Sequence, residues 1–245
     1  MWRQRLLWAI ACIGKVSDLL IGSVERVSLT ASVYARLKTA IMSGKLVPGE
    51  PVSIRSLASS LGTSAIPVRE ALSRLNSEGA LEVRPNGSVS VPAMTVDRFI
   101  DLRATRLAVE GYAVQLAAER VTTQDLKQMD KLFADTVTAN NRGDARRFFA
   151  ANQKMRFSIY QAARSPTLLP IIESLWLQAG PFFNVVFNAQ AHIQESLGFD
   201  RLALDALHKQ DGRSARMWIE HDIITSGDKI LSILKHSAET TPLPS

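Results

Sequence analysis

The segment from residue 53 to residue 79, "SIRSLASSLGTSAIPVREALSRLNSEG", limits the fold more than any other part of the chain. In its first half, Ile54, Leu57, Ala58 and Leu61 recur at helical spacing behind a capping Ser53, and Gly62 supplies the residue on which such a helix stops. In its second half, Ser64 stands as a cap whose hydroxyl should accept a bond from a first-turn amide. Pro67 lies within that first turn, where a missing donor is tolerated, and Val68, Ala71, Leu72 and Leu75 share one face. Only Thr63 separates the two halves. Two short helices joined by a tight Gly-containing turn give the outline of a helix-turn-helix.

The flanks complete a domain over residues 29–92. "VYARLKTAIM" places Val33, Leu37, Ala40 and Ile41 on one helical stripe, with Ser32 as a plausible cap, and Gly44 and Pro48 end it. After Gly79, "LEVRPNGSVSV" alternates as two short strands around Pro85-Asn86-Gly87, a hairpin signal. Three helices and a hairpin make a winged helix-turn-helix. Residues 93–98 read as a linker, with Thr95 as a candidate cap.

Beyond the linker no strand pattern appears. Amphipathic segments fall near 96–119, 123–140, 144–163, 167–190, 195–210 and 212–235, with breaks expected at Thr122-Thr123, Arg142-Gly143, Ser165-Pro166, Gly198 and Asp211-Gly212. Residues 99–236 are therefore expected to form an all-helical bundle, and 237–245, ending "TTPLPS", a disordered tail. The fold class is mainly α.

The 245 residues, 46% hydrophobic and 21% charged, suit two modest globular domains. The net charge of +6 leans towards a polyanionic partner, and the excess is concentrated early: residues 29–92 carry 7 Lys+Arg against 4 Asp+Glu, residues 93–245 carry 18 against 17. A lone Cys12 excludes an intrachain disulfide framework and a cysteine zinc cluster, which suits a cytoplasmic protein. No apolar run approaches the roughly 20 residues that span a bilayer, so no membrane partner is expected. "MWRQRLLWAIACIG" has the outline of a signal peptide, but no ordinary cleavage site follows in "KVSDLLIG". Residues 1–28 are read as an extension of unknown role. An enzyme is disfavoured: no nucleophile stands beside a histidine, no glycine loop could cradle a phosphate, and the four histidines are scattered.

The sequence from Val33 to Val91 resembles the DNA-binding domain of the GntR family of bacterial transcription regulators. The resemblance rests on Leu57-Ala58, Leu61-Gly62, Ser64, Pro67-Val68-Arg69-Glu70-Ala71-Leu72 and Leu75. "FIDLRATRLAVEGYAVQLAAERVT" resembles the opening of the all-helical FCD domain of the FadR subfamily, through Leu102-Arg103, Leu107, Glu110 and Leu116-Ala117-Ala118. The resemblance implies a homodimeric regulator that binds double-stranded operator DNA. It further implies repression of a metabolic operon, relieved by a small effector of carboxylate type.

It also implies that Arg55 and Arg69 contact DNA and that Ser64 bonds phosphate. Ala65 stands where the family often has an arginine, which marks a missing base contact, and Gly87 follows Asn86 in the wing where a basic residue is common. Arg74 reads as solvated surface. In the helical domain the family holds a divalent metal with an Asp and a His one turn apart and two further His. Here those positions fall on Asn152, Arg156, Asp200 and His221, and Arg103 matches a pocket arginine. A guanidinium has no lone pair for a metal, so no metal cofactor is expected; only Asp200 and His221 could ligate. Arg156 could instead bind an effector carboxylate directly, or pair with Asp200 and fill the vacancy. In the second case the chain could bind DNA without sensing a small molecule. His192 and His208 are expected to be exposed or capping residues.

Overall fold

A computed structural model describes residues 29–240 apart from 43, 44, 47, 86 and 187–189, so the expectations for 1–28 and for the end of the tail lie outside the described residues. The winged unit is built as its stripes dictate. Helix α1 (Leu29–Met42) buries Val33, Leu37 and Ile41 at four-residue spacing. Helix α2 (Ile54–Leu61) starts at Ser53, whose hydroxyl accepts from the Ser56 amide at 3.0 Å, and ends at Gly62, whose φ of +65° only glycine adopts freely. Helix α3 (Ala65–Ser77) buries Val68, Ala71, Leu72 and Leu75 against α1.

Two expected caps are absent, and Ser32 is one of them, since it lies inside α1. Ser64 has the extended backbone of a cap but its hydroxyl makes no cap hydrogen bond. The third residue of the helix, which would donate, is Pro67, and a proline nitrogen carries no hydrogen.

The hairpin pairs β1 (Glu82–Val83) with β2 (Val89–Ser90) in antiparallel register, Glu82 opposite Ser90 and Val83 opposite Val89. Its turn closes with Gly87 at φ +76°, and the Arg84 amide donates to the Ser88 carbonyl at 2.9 Å. The segment after α1 joins this sheet by single bridges, Val52 to Val89 and Pro48 to Val91. That third pairing is too short to leave an alternating pattern in the sequence.

The helical domain comprises α4 (Val96–Arg120), α5 (Thr123–Asn141), α6 (Ala145–Ala162), α7 (Leu168–Val186), α8 (Gln190–His208) and α9 (Gly212–Thr240). Several boundaries move, α8 among them, which begins at Gln190 rather than near 195. Helix α4 begins at Val96 behind the Thr95 cap, as its periodicity suggested, so the helical domain starts inside the expected 93–98 linker, and α9 runs to Thr240 rather than ending at 236. Gly198 lies within α8 instead of breaking it, since a lone glycine weakens a helix without stopping it. Helices α4 and α9 run antiparallel in close contact at two glycines. A Cβ on Gly111 would lie 2.5 Å from Glu220 Oε1, and one on Gly227 would lie 2.6 Å from Arg103 Cδ. Among the described residues, no helix is long and apolar enough to cross a membrane.

The winged unit rests on α6 and α7. Lys38 pairs with Glu173 at 2.8 Å, and Ser174 Oγ donates to the Glu78 carbonyl at 2.9 Å. Gln153 Nε2 donates to Met42 Sδ at 3.4 Å, and a Cβ on Gly180 would come within 3.2 Å of Met42 Cα.

Candidate functional site

Helix α3 buries one face, so Ser64, Ile66, Arg69, Glu70, Ser73 and Arg74 are left on its exposed side. Two acidic neighbours could have neutralised Arg69, and the fold directs each elsewhere. Glu70 accepts from Thr30 Oγ1 of α1 at 2.6 Å. Glu78 accepts from the Tyr34 hydroxyl at 2.7 Å and from Arg74 Nε at 3.0 Å, with the Arg74 guanidinium 4.0 Å from the Tyr34 ring centre. Burial, then the hydrogen bond to Glu78, pushes the Tyr34 pKa up, which keeps this phenol a donor. Arg74 is therefore a packed surface residue, as its sequence context suggested.

Arg69 has no carboxylate partner among the described residues, and neither does Arg55, exposed on α2. Ala65 is half-buried beside them, and Gly87 is exposed at the wing tip; Asn86 lies outside the described residues. The wing's own cation turns inward: Arg84 Nη2 donates to the Gly49 carbonyl at 2.8 Å and Nε to Ser90 Oγ at 3.2 Å.

A second constellation is buried in the helical domain. Arg156 of α6, 2% exposed, directs Nη2 between Asp200 Oδ1 of α8 at 2.8 Å and Asp222 Oδ2 of α9 at 2.5 Å. Asn152, one turn earlier, donates through Nδ2 to Asp200 Oδ2 at 2.6 Å. Across the cavity, Arg106 Nε donates to Glu110 Oε1 at 2.6 Å and the Tyr160 hydroxyl donates to Glu110 Oε2 at 2.5 Å. The Arg106 guanidinium lies 5.4 Å from the Trp176 ring centre. Arg106, Asn152, Arg156, Trp176, Ser196 and Asp222 all line this cavity, whose remaining free volume is about 30 Å³. That is room for a water or two as the side chains stand. Asp222 Oδ1 is buried and has no hydrogen-bond partner.

Electrostatics separate the partners. Burial alone would lower the Arg156 pKa, but attraction by Asp200 and Asp222 outweighs it and the net shift is upward. Burial raises Asp200, against the pull of Arg156 and with help from Asp222, to about 7. A carboxyl whose folded pKa exceeds its unfolded value contributes stability that is fullest at low pH and declines as pH rises through the window up to about 7. The stability of the wild type relative to Asp200→Asn is therefore expected to fall between about pH 4 and about pH 7, as chemical denaturation at each pH will measure. A difference that stays flat across that interval would show Asp200 ionised throughout.

The structure thus brings Asn152, Arg156 and Asp200 together, as the family resemblance implied, and separates two residues expected with them. His221 points to the exposed side of α9, where Nδ1 is 2.8 Å from the Met217 carbonyl and the ring packs by Trp218 and Phe199. One residue along a helix is about 100° of rotation, and it is Asp222 that faces inward. Arg103 likewise lies outside the cavity, paired with Asp228 at 2.6 Å across the α4–α9 contact. Arg106 takes the cavity position. Both substitutes were legible in principle: Asp222 follows Ala215 and Ile219 on the inward face of α9, and Arg106 follows Leu102 by one turn on that of α4.

Comparison with known proteins fits both halves of this geometry. The sequence profile of "Bacterial regulatory proteins, gntR family" matches residues 29–91, and that of the FCD domain matches residues 101–224. The HTH-type transcriptional regulator McbR of Escherichia coli (strain K12) is 34% identical over 197 residues, covering 80% of this chain and 89% of that protein. The solved structure of E. coli McbR/YncC superposes with a TM-score of 0.77 at 32% identity, covering 87% of this chain and all of the other. A probable D-xylose utilization operon transcriptional repressor of Paenarthrobacter nicotinovorans is 26% identical over 200 residues, covering 82% and 88% respectively. With a GntR winged helix-turn-helix followed by an FCD domain, this chain belongs to the GntR family of transcription regulators and is not an enzyme.

Proposed function

We propose that this regulator represses a metabolic operon by docking α3 into the major groove of an operator half-site as a homodimer, and that a small carboxylate-type metabolite releases it. The observation that carries the DNA reading is the exposed face of α3, where Arg69 is kept free of both nearby glutamates. A guanidinium one turn into a helix reaches a guanine edge through paired bonds, and the unsatisfied hydroxyl of Ser64, at the helix start, suits a phosphate. Arg55 supplies a further contact from α2, and Gly87 brings the wing backbone near the duplex. Ala65 and the inward-turned Arg84 make both neighbouring contacts weaker.

An exposed stripe on α4, Ile100, Ala104, Ala108 and Tyr112, supports the dimer. Antiparallel packing of two such stripes sets Ile100 against Tyr112 and Ala104 against Ala108, large against large and small against small. Selection from a pool of random-sequence duplexes tests the reading: the expected product is an inverted repeat of two half-sites. A single unrepeated site would contradict the dimer, and no enrichment would contradict operator binding.

For the effector, the support is the path from cavity to winged unit. Helix α7 carries Trp176 on the cavity and Glu173 and Ser174 against Lys38 and Glu78. Helix α6 carries Asn152 and Arg156 on the cavity and Gln153 against Met42. A ligand that moved either helix would shift the seat of the DNA-binding unit. We further propose that no metal is held here, because the guanidinium of Arg156 already occupies the space between the two carboxylates and His221 faces away. A regulator that senses no small molecule is the second reading, favoured by the doubly paired Arg156 and the small free volume. Thermal-shift measurements against a panel of small carboxylates separate the two, since a ligand that binds only the folded state raises its melting temperature.

A further inference from the structure

Ile66 is 69% exposed, more than any other large apolar side chain among the described residues. It is the second residue of α3, so it stands at the end of the helix that leads into the groove. A β-branched side chain on an exposed helical turn gains no packing and is less favourable there than alanine. It shares its face with Arg69 and Glu70, three and four residues on, and lies opposite the buried Val68, Ala71 and Leu72. Thr30 draws the Glu70 carboxylate back towards α1. What α3 projects at its leading end is therefore one apolar group and one guanidinium. Ala65, half-buried and small, lets that end approach closely.

We infer that Ile66 is a specificity-determining residue that packs on the C5 methyl group of a thymine beside the base read by Arg69. The inference rests on the reading that α3 enters the major groove. Among the four base pairs, the thymine methyl is the one apolar group displayed on the floor of that groove, and an isoleucine there has no other apolar partner. Arginine at position 65 would have added a polar base contact; with Ala65 beside Ile66, recognition shifts towards shape and methyl contact.

The test uses the full chain and a duplex selected by it from a random pool, with each thymine of a half-site replaced in turn by deoxyuridine, which lacks only the methyl. At one position the wild type is expected to bind the deoxyuridine duplex about fourfold more weakly, the loss of one buried methyl group. Ile66→Ala, which loses the contact in both half-sites, is expected to bind the thymine duplex about sixteenfold more weakly and to show no difference between thymine and deoxyuridine at that position. If the wild type binds every deoxyuridine duplex as well as the thymine duplex while Arg69→Ala still loses affinity, α3 is in the groove and Ile66 reads nothing. If Arg69→Ala also binds unchanged, the docking of α3 itself is wrong and the inference falls with it.

Discussion

Arg156→Ala is expected to destabilise the folded chain by about 3–5 kcal/mol at neutral pH, read from chemical denaturation of purified protein. The physical reason is what the substitution leaves behind. Asp200 is fully buried and Asp222 partly so, and Arg156 is the cation between them. Removing it leaves two carboxyls in a low-dielectric interior with Asn152 as the remaining donor to Asp200. The loss is expected to shrink as pH falls, because the stranded carboxyls then take up protons and burial no longer opposes a charge. Combining Arg156→Met with Asp200→Asn and Asp222→Asn is expected to recover most of the stability, since uncharged groups of similar size need no counter-ion. A loss below about 1 kcal/mol in the single variant, within the range of exposed pairs, would show that the cluster is open to solvent.

Arg69→Ala is expected to lower affinity for the selected operator by roughly thirtyfold to more than a thousandfold while leaving the melting temperature unchanged. The range follows from about 1–3 kcal/mol for each lost bidentate base contact, counted once per half-site of a dimer. Arg74→Ala provides the contrast. It removes a guanidinium that stacks on Tyr34 and bonds Glu78, so its effect should fall on stability and leave operator affinity almost unaltered. Fluorescence anisotropy with the same labelled duplex measures both. Equal loss of affinity in the two variants would mean that the charge of α3 acts as a diffuse field rather than through a placed contact.

These variants divide along the line between what local chemistry and tertiary packing each decide. Ser64, Pro67 and the stripe from Val68 to Leu75 make α3 legible, and the same periodic logic locates α4 to α9 within a few residues, because helix faces are written at short range. The absent cap bond at Ser64 was also written there, in a proline nitrogen three residues on. Ion-pair choice was not. Whether Glu70 neutralises Arg69 depends on Thr30, forty residues away, and whether Glu78 takes Arg74 depends on Tyr34 across the α1–α3 contact.

The cavity shows the same limit more sharply. The chain alone put Asn152 and Arg156 one turn apart and the family resemblance pointed to Asp200, but His221 and Arg103 were each displaced by the angular phase of α9 and α4. Asp222 and Arg106 are the residues that face inward. By itself the sequence determined a winged helix-turn-helix joined to a helical bundle, and the family to which that pairing belongs. The tertiary structure alone decided which charges meet, because a helix fixes a side chain's direction only relative to its own axis, and the rotation of that axis is set by packing against its neighbours.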